Sequence, residues 1–226
     1  MRTKILCWVI VTLSVSLIPS GVRATTIDIS AGDPGSLLPN DPSATVVTFD
    51  DLPVGSLPSY GFVGGTLTGD GAIEDTSLPG KFAQPAGDPT GYLTVSYPSA
   101  AGTVDFTLSS QANYFGLYWG SMDSYNSITF LENQEQIATF SGAAVADLTG
   151  LVANGDQQSS LSNRYINFYL GDNFYNEVVL STADFGFEVD NIAFGDPPVP
   201  IPEPGTLILL GSLLCFILLR RIRRPA

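Results

Sequence analysis

The sequence predicts an all-β fold, a β-sandwich of the jelly-roll type, and three observations carry that prediction. Residues 26–196 hold no sustained 3.6-residue apolar period. They hold short runs rich in Val, Ile, Thr, Phe and Tyr, broken by Gly, Pro, Asn, Asp and Ser. Several runs alternate cleanly: in Thr103-Val104-Asp105-Phe106-Thr107-Leu108 the three apolar side chains fall on one face. Short strands at regular spacing with turn residues between them suit a sandwich.

Candidate strands follow in chain order at 45–49, 61–68, 92–97, 103–108, 114–119, 127–132, 136–140, 165–170, 177–181 and 186–194. Residues 33–42 read as a loop, opened by Asp33-Pro34-Gly35. The strands at 127–132 and 136–140 flank Asn133-Gln134-Glu135, a hairpin connection. Residues 143–162 hold a small helix or a long connection. The glycine-rich stretch 64–71 resembles a single copy of a calcium-binding repeat without its register, and it reads as strand and turn.

Both ends read as processing segments. Residues 1–24 open on Arg2 and Lys4, continue through a short apolar stretch, break at Pro19-Ser20-Gly21 and close on Val22-Arg23-Ala24. That is the pattern of a signal peptide cleaved after Ala24, with a short membrane anchor as the alternative. Residues 197–206 form a proline-rich linker ending in Pro202-Glu203-Pro204. Residues 207–226 form a short apolar membrane helix, with the basic cluster Arg220, Arg221, Arg223 and Arg224 as a cytoplasmic stop. The domain between them spans 25–196.

The order of Pro202, Glu203 and Pro204, a short apolar helix and Arg220-Arg221 at the C-terminus resembles the PEP-CTERM sorting signal of Gram-negative bacteria and cyanobacteria. The resemblance implies export and a transient inner-membrane anchor. It further implies removal of the tail by an exosortase and delivery to the cell surface or extracellular matrix. A permanent C-terminal anchor is the alternative.

Composition then limits the chemistry. The chain has no histidine, which excludes Ser-His-Asp and Cys-His catalysis and His-ligated zinc. Its two cysteines, Cys7 and Cys215, both lie in the removable ends, so the exported domain lacks disulfides and thiol chemistry. The formal charge of −13 is an average over unlike pieces. Between residues 25 and 200 only Lys81 and Arg164 are basic, against 21 acidic residues, a net of −19. Such a surface does not bind nucleic acid, which needs Lys and Arg against its phosphates.

Three patches remain as candidate sites. Asp50 and Asp51 close the first convincing strand, and Asp190 and Asn191 lie near the end of the last. If first and last strands pair, these oxygens approach one another and suit calcium, the only cofactor the sequence suggests. The plainer reading makes them turn and strand-end residues capping backbone amides. Between two strands, Trp119, Asp123, Tyr125 and Asn126 combine aromatic faces with hydroxyl-binding groups, a sugar-binding pattern. Its plainer reading puts Trp119 in the core and Asp123-Ser124 in a turn.

The motifs 49–52, 118–126 and 187–191 together resemble a group of exosortase-dependent surface proteins of cyanobacteria and proteobacteria, a resemblance that implies no particular activity. The expectation is a non-enzymatic, structural or adhesive surface protein associated with extracellular polysaccharide. A carbohydrate-binding module with a structural calcium ion is the sharper version. A carboxylate-based glycoside hydrolase is a third reading, without a catalytic signature to pick out an acid and a base.

Overall fold

The computed structural model describes residues 26–57 and 59–196. The expected signal peptide and linker, Pro202, Glu203, Pro204, the apolar tail and Arg220-Arg221 lie outside the described residues. Among the described residues, fourteen strands and one helix follow in chain order. They are β1 (Asp28–Ala31), β2 (Thr45–Val47), β3 (Gly55–Ser56), β4 (Tyr60–Phe62), β5 (Gly65–Gly69), β6 (Gly71–Glu74), β7 (Tyr92–Val95), β8 (Gly102–Ala112), β9 (Tyr114–Gly120), β10 (Ser127–Glu132), β11 (Glu135–Ser141), α1 (Gly142–Thr149), β12 (Arg164–Tyr169), β13 (Tyr175–Thr182) and β14 (Glu188–Gly195).

The strands make two antiparallel sheets. One runs β1-β12-β9-β14-β7-β6-β3, with β2 pairing β14; the other runs β11-β10-β13-β8-β5-β4. All ten predicted strand regions are strands. The region 61–68 is two strands, because Gly64 at φ 98° turns the chain where a side chain would be strained. Asn133 and Gln134 both take positive φ and close the β10–β11 hairpin alone, with Glu132 already paired to Glu135. The region read as a small helix or a long connection opens with α1, capped by Ser141, whose hydroxyl accepts from the Ala144 N–H at 3.2 Å.

One apolar core takes side chains from both sheets. The Phe115 ring (β9) meets Phe130 (β10) at 5.6 Å and Phe106 (β8) at 6.0 Å, both edge-on. Every residue of β9 is buried, because this strand is covered on both faces. Its odd members, Phe115, Leu117 and Trp119, enter the shared core. Tyr114 and Tyr118 turn to the opposite face, where they join Tyr165 and Ala193 in a second cluster.

The hydroxyls of this second cluster are satisfied partly within the sheet, by Asn191 of β14 and Asn167 of β12, and partly by Ala86 of the chain that crosses over it. Tyr118 donates to the Ala86 carbonyl at 2.5 Å, Tyr165 to the Asn191 carbonyl at 2.8 Å and Tyr114 to Asn167 Oδ1 at 2.6 Å. The outer face of the larger sheet is therefore a covered, polar layer. Residues 37–44 cover one part of it and residues 75–91 another, and the candidate sites sit beside the second segment.

Candidate functional site

Strand β14 carries Glu188 and Asp190 on this outer face, opposite Gly120 and Tyr118 of β9. The alternation predicts Ile192 on the same face, but the register shifts between Asp190 and Ala193 and Asn191 takes φ 49°. This bulge adds one residue and reverses the sides that follow. Ile192 enters the shared core and Ala193 the tyrosine cluster. The two acids do not crowd one another, because each has separate partners under the roof.

Glu188 is 1% exposed and belongs to a pocket. Its Oε1 accepts the Ala83 N–H at 2.9 Å and its Oε2 the Ser121 hydroxyl at 2.8 Å. Burial pushes the carboxyl up to about 7, although both donors favour the charged form. The pocket has a volume of about 260 Å³, and Asp123, Tyr125, Asp184, Phe185 and Lys81 also line it. Burial likewise raises Asp123. Tyr125 donates to the Phe185 carbonyl at 2.6 Å, with Asp123 Oδ2 at 3.0 Å from the same hydroxyl. The Lys81 ammonium stands 3.5 Å above the Phe185 ring, a cation–π contact.

Gly186, at φ 90°, keeps this space open. A Cβ there would stand 3.5 Å from Asp123 Oδ2, 3.6 Å from Glu188 Oε1 and 3.8 Å from the Tyr125 hydroxyl. Three oxygen-bearing side chains thus face one gap the size of a methyl group.

The sequence-predicted sugar set divides. Asp123 and Tyr125 line the pocket. Trp119 has no exposed surface and packs its ring 4.9 Å from Phe187 in the core, so it presents no face to a ligand. Asn126 is fully buried and structural: its Nδ2 donates to the Gly186 carbonyl at 2.9 Å and its Oδ1 accepts from Thr182 at 2.8 Å. Glu188, Ser121 and Lys81 are members that sequence reasoning missed.

The predicted calcium set also divides. Asp190 is fully buried beside Asp88, and Asn191 Nδ2 donates to Asp88 Oδ2 at 3.2 Å. Asp50 lies in an exposed turn near enough for its charge to raise Asp190. Asp51, exposed in the same turn, instead borders a groove with Val46, Leu52, Tyr60 and Phe62. Asp88 was not in the predicted set. Burial and the neighbouring Asp88 carboxyl push Asp190 up to about 8. Among the described residues, no three His, Cys, Asp or Glu side chains stand in a metal-holding group.

No curated protein matches the chain. Residues 200–224 match the PEP-CTERM protein-sorting motif, which marks the chain for export and exosortase-dependent sorting to the bacterial surface.

Proposed function

We propose that the chain is a non-enzymatic surface module, a β-sandwich of the jelly-roll type, that holds neutral extracellular polysaccharide in the pocket beside β14. One observation carries the reading. Asp123, Tyr125, Ser121 and Glu188, from two separate stretches of chain, converge around the open space at Gly186. Carboxylates accept hydrogen bonds from sugar hydroxyls, and the rims of Tyr125 and Phe185 offer apolar surface to sugar C–H groups. Charge selects the polymer: a domain near −19 repels an acidic glycan and tolerates a neutral one.

The test is retention on extracellular polysaccharide isolated from the producing cells. The protein is retained, and Asp123→Asn and Tyr125→Ala each reduce apparent affinity by about tenfold, the scale of one lost hydrogen bond to a charged group. Equal retention of wild type and both variants removes this pocket as the site.

The sorting motif supports a second expectation. Mass spectrometry of surface-associated protein detects peptides of the domain and none from 207–219, because exosortase has removed them. Recovery of that apolar peptide from surface protein establishes a retained anchor instead.

A further inference from the structure

We propose that residues 198–202 dock as an extended strand in the open seam between β2 and β4, so that the chain leading to the sorting motif closes the edge of its own domain.

The seam is a place where the sandwich leaves two strand edges side by side. Among the described residues, β2 pairs only with β14 and β4 only with β5, so one backbone edge of each is free. Both edges face a common groove of about 320 Å³, and residues 45–48 and 60–63 line it consecutively. Successive side chains of a strand point to opposite faces, so a wall of consecutive residues is a backbone edge. Val46, Leu52, Tyr60 and Phe62 make the groove apolar, and Val63 stands 86% exposed at its rim. Phe62 and Gly65 close a two-residue hairpin, which aims the N–H and C=O of Gly61 outward to the free edge. A Cβ at Gly61 would meet nothing within 4 Å, so this edge has room for another strand. Free edges of this kind recruit an extended segment unless they are covered.

Position identifies the occupant. β14 ends at Gly195, where a Cβ would stand 3.5 Å from the Ala44 Cα, and Ala44 directly precedes Thr45, the first residue of the groove. The place beyond the free edge of β2 is two strand spacings from β14, about 10 Å. Asp196-Pro197-Pro198 spans about 10 Å, and an Asp-Pro step favours the turn required. The Phe62 ring lies 5.8 Å from Phe194, and a Cβ on Gly64 would stand 3.1 Å from the same ring. Chain leaving β14 therefore meets β4 at its Phe62 end and runs antiparallel to it, towards Tyr60. Four wall residues extend about 13 Å and residues 198–202 about 16 Å, so the segment fills the groove.

Its sequence fits an edge strand. In Pro198-Val199-Pro200-Ile201-Pro202, proline alternates with a β-branched residue. Proline holds φ near −65°, and Val199 and Ile201 each precede a proline, so extended backbone is favoured throughout. Backbone N–H groups alternate sides along a strand. Those of Val199 and Ile201 aim at one edge, and the missing donors of the prolines all fall on the other, the arrangement in which an edge strand tolerates proline. Charge favours this occupant over a second copy of the chain. Residues 197–202 carry no charge, whereas a second domain brings another −19.

The experiment is amide hydrogen exchange followed by NMR on the full chain in detergent, at two protein concentrations. The expected result is exchange at Val199, Ile201 and Gly61 slowed at least tenfold relative to unstructured chain, equally at both concentrations. The double variant Val199→Pro, Ile201→Pro removes both donors and returns Gly61 to fast exchange, while the amides of β8 keep their protection and report an intact fold. Fast exchange at Val199 and Ile201 in the natural chain overturns the proposal. So does protection of Gly61 that survives the double variant, and so does protection that grows with concentration, which assigns the seam to a second copy. The groove shares no residue with the pocket around Gly186, so this proposal and polysaccharide binding fail independently.

Discussion

Replacing Trp119 by alanine is expected to destabilise the protein by about 3–5 kcal/mol, the range for deleting a large buried aromatic side chain. The ring is fully buried, packs on Phe187 and belongs to the core shared by both sheets. The cavity left there is bounded by strands on two sides, which limits collapse. The indole N–H is buried without an acceptor, so part of the ring's packing benefit is already offset. Trp119→Phe therefore costs much less than Trp119→Ala. Urea unfolding of the three proteins measures both differences. A loss below about 1 kcal/mol in the alanine variant, with polysaccharide retention abolished, would place this ring on the binding surface rather than in the core.

Stability falls as pH rises from about 4 to 8. Glu188 and Asp190 carry the largest part of that change. Both are almost fully buried, and burial raises Glu188 to about 7 and, with Asp88, Asp190 to about 8. In the unfolded chain their ordinary values are 4.5 and 3.8. Between the unfolded and folded values the folded protein holds more protons than the unfolded chain, so the slope of unfolding free energy with pH is negative. Stability is full below about pH 4 for these two groups and is lost by about pH 8, up to roughly 1.4 kcal/mol per pH unit for each. The total is several kcal/mol. Urea midpoints at pH 5 and pH 8 read the effect directly. Asp190→Asn, which keeps a neutral side chain at every pH, flattens the slope by up to about one proton. A midpoint that rises from pH 5 to pH 8 would contradict the burial of these carboxyls.

Most of the fold is legible in the sequence because alternation writes the inside and outside of a strand directly. β8 shows this in Val104, Phe106 and Leu108, all buried in the shared core. What escapes is short or glycine-rich. β3 is Gly55-Ser56, and β6 begins at Gly71 directly after the turn at Gly69-Asp70. β1 reads Asp28-Ile29-Ser30-Ala31, and only pairing with β12 makes it a strand. The double burial of β9 is likewise hidden, because the chain that covers its second face comes from residues 37–44 and 75–91.

The sites follow the same rule. Asp123 and Tyr125 stand two residues apart, and an aromatic beside an acid is a local signal. The partners of Glu188 lie 67 residues away at Ser121 and 105 away at Ala83, and Asn191 reaches Asp88 across 103 residues. No local pattern reports such pairings. Adjacency also misled: Asp51 follows Asp50 in sequence yet borders a different groove, because successive side chains in the turn diverge.

The central claim is that hydroxyl-rich ligand enters the pocket around Gly186. Amide chemical shifts, followed while oligosaccharides from the extracellular polysaccharide are titrated into the protein, test it most directly. Saturable shifts at Ser121, Gly155 and Gly186, with the Trp119 indole signal unmoved, are the predicted result. Unmoved amides at those three residues, or saturable shifts gathered instead along the groove at residues 45–63, would contradict it.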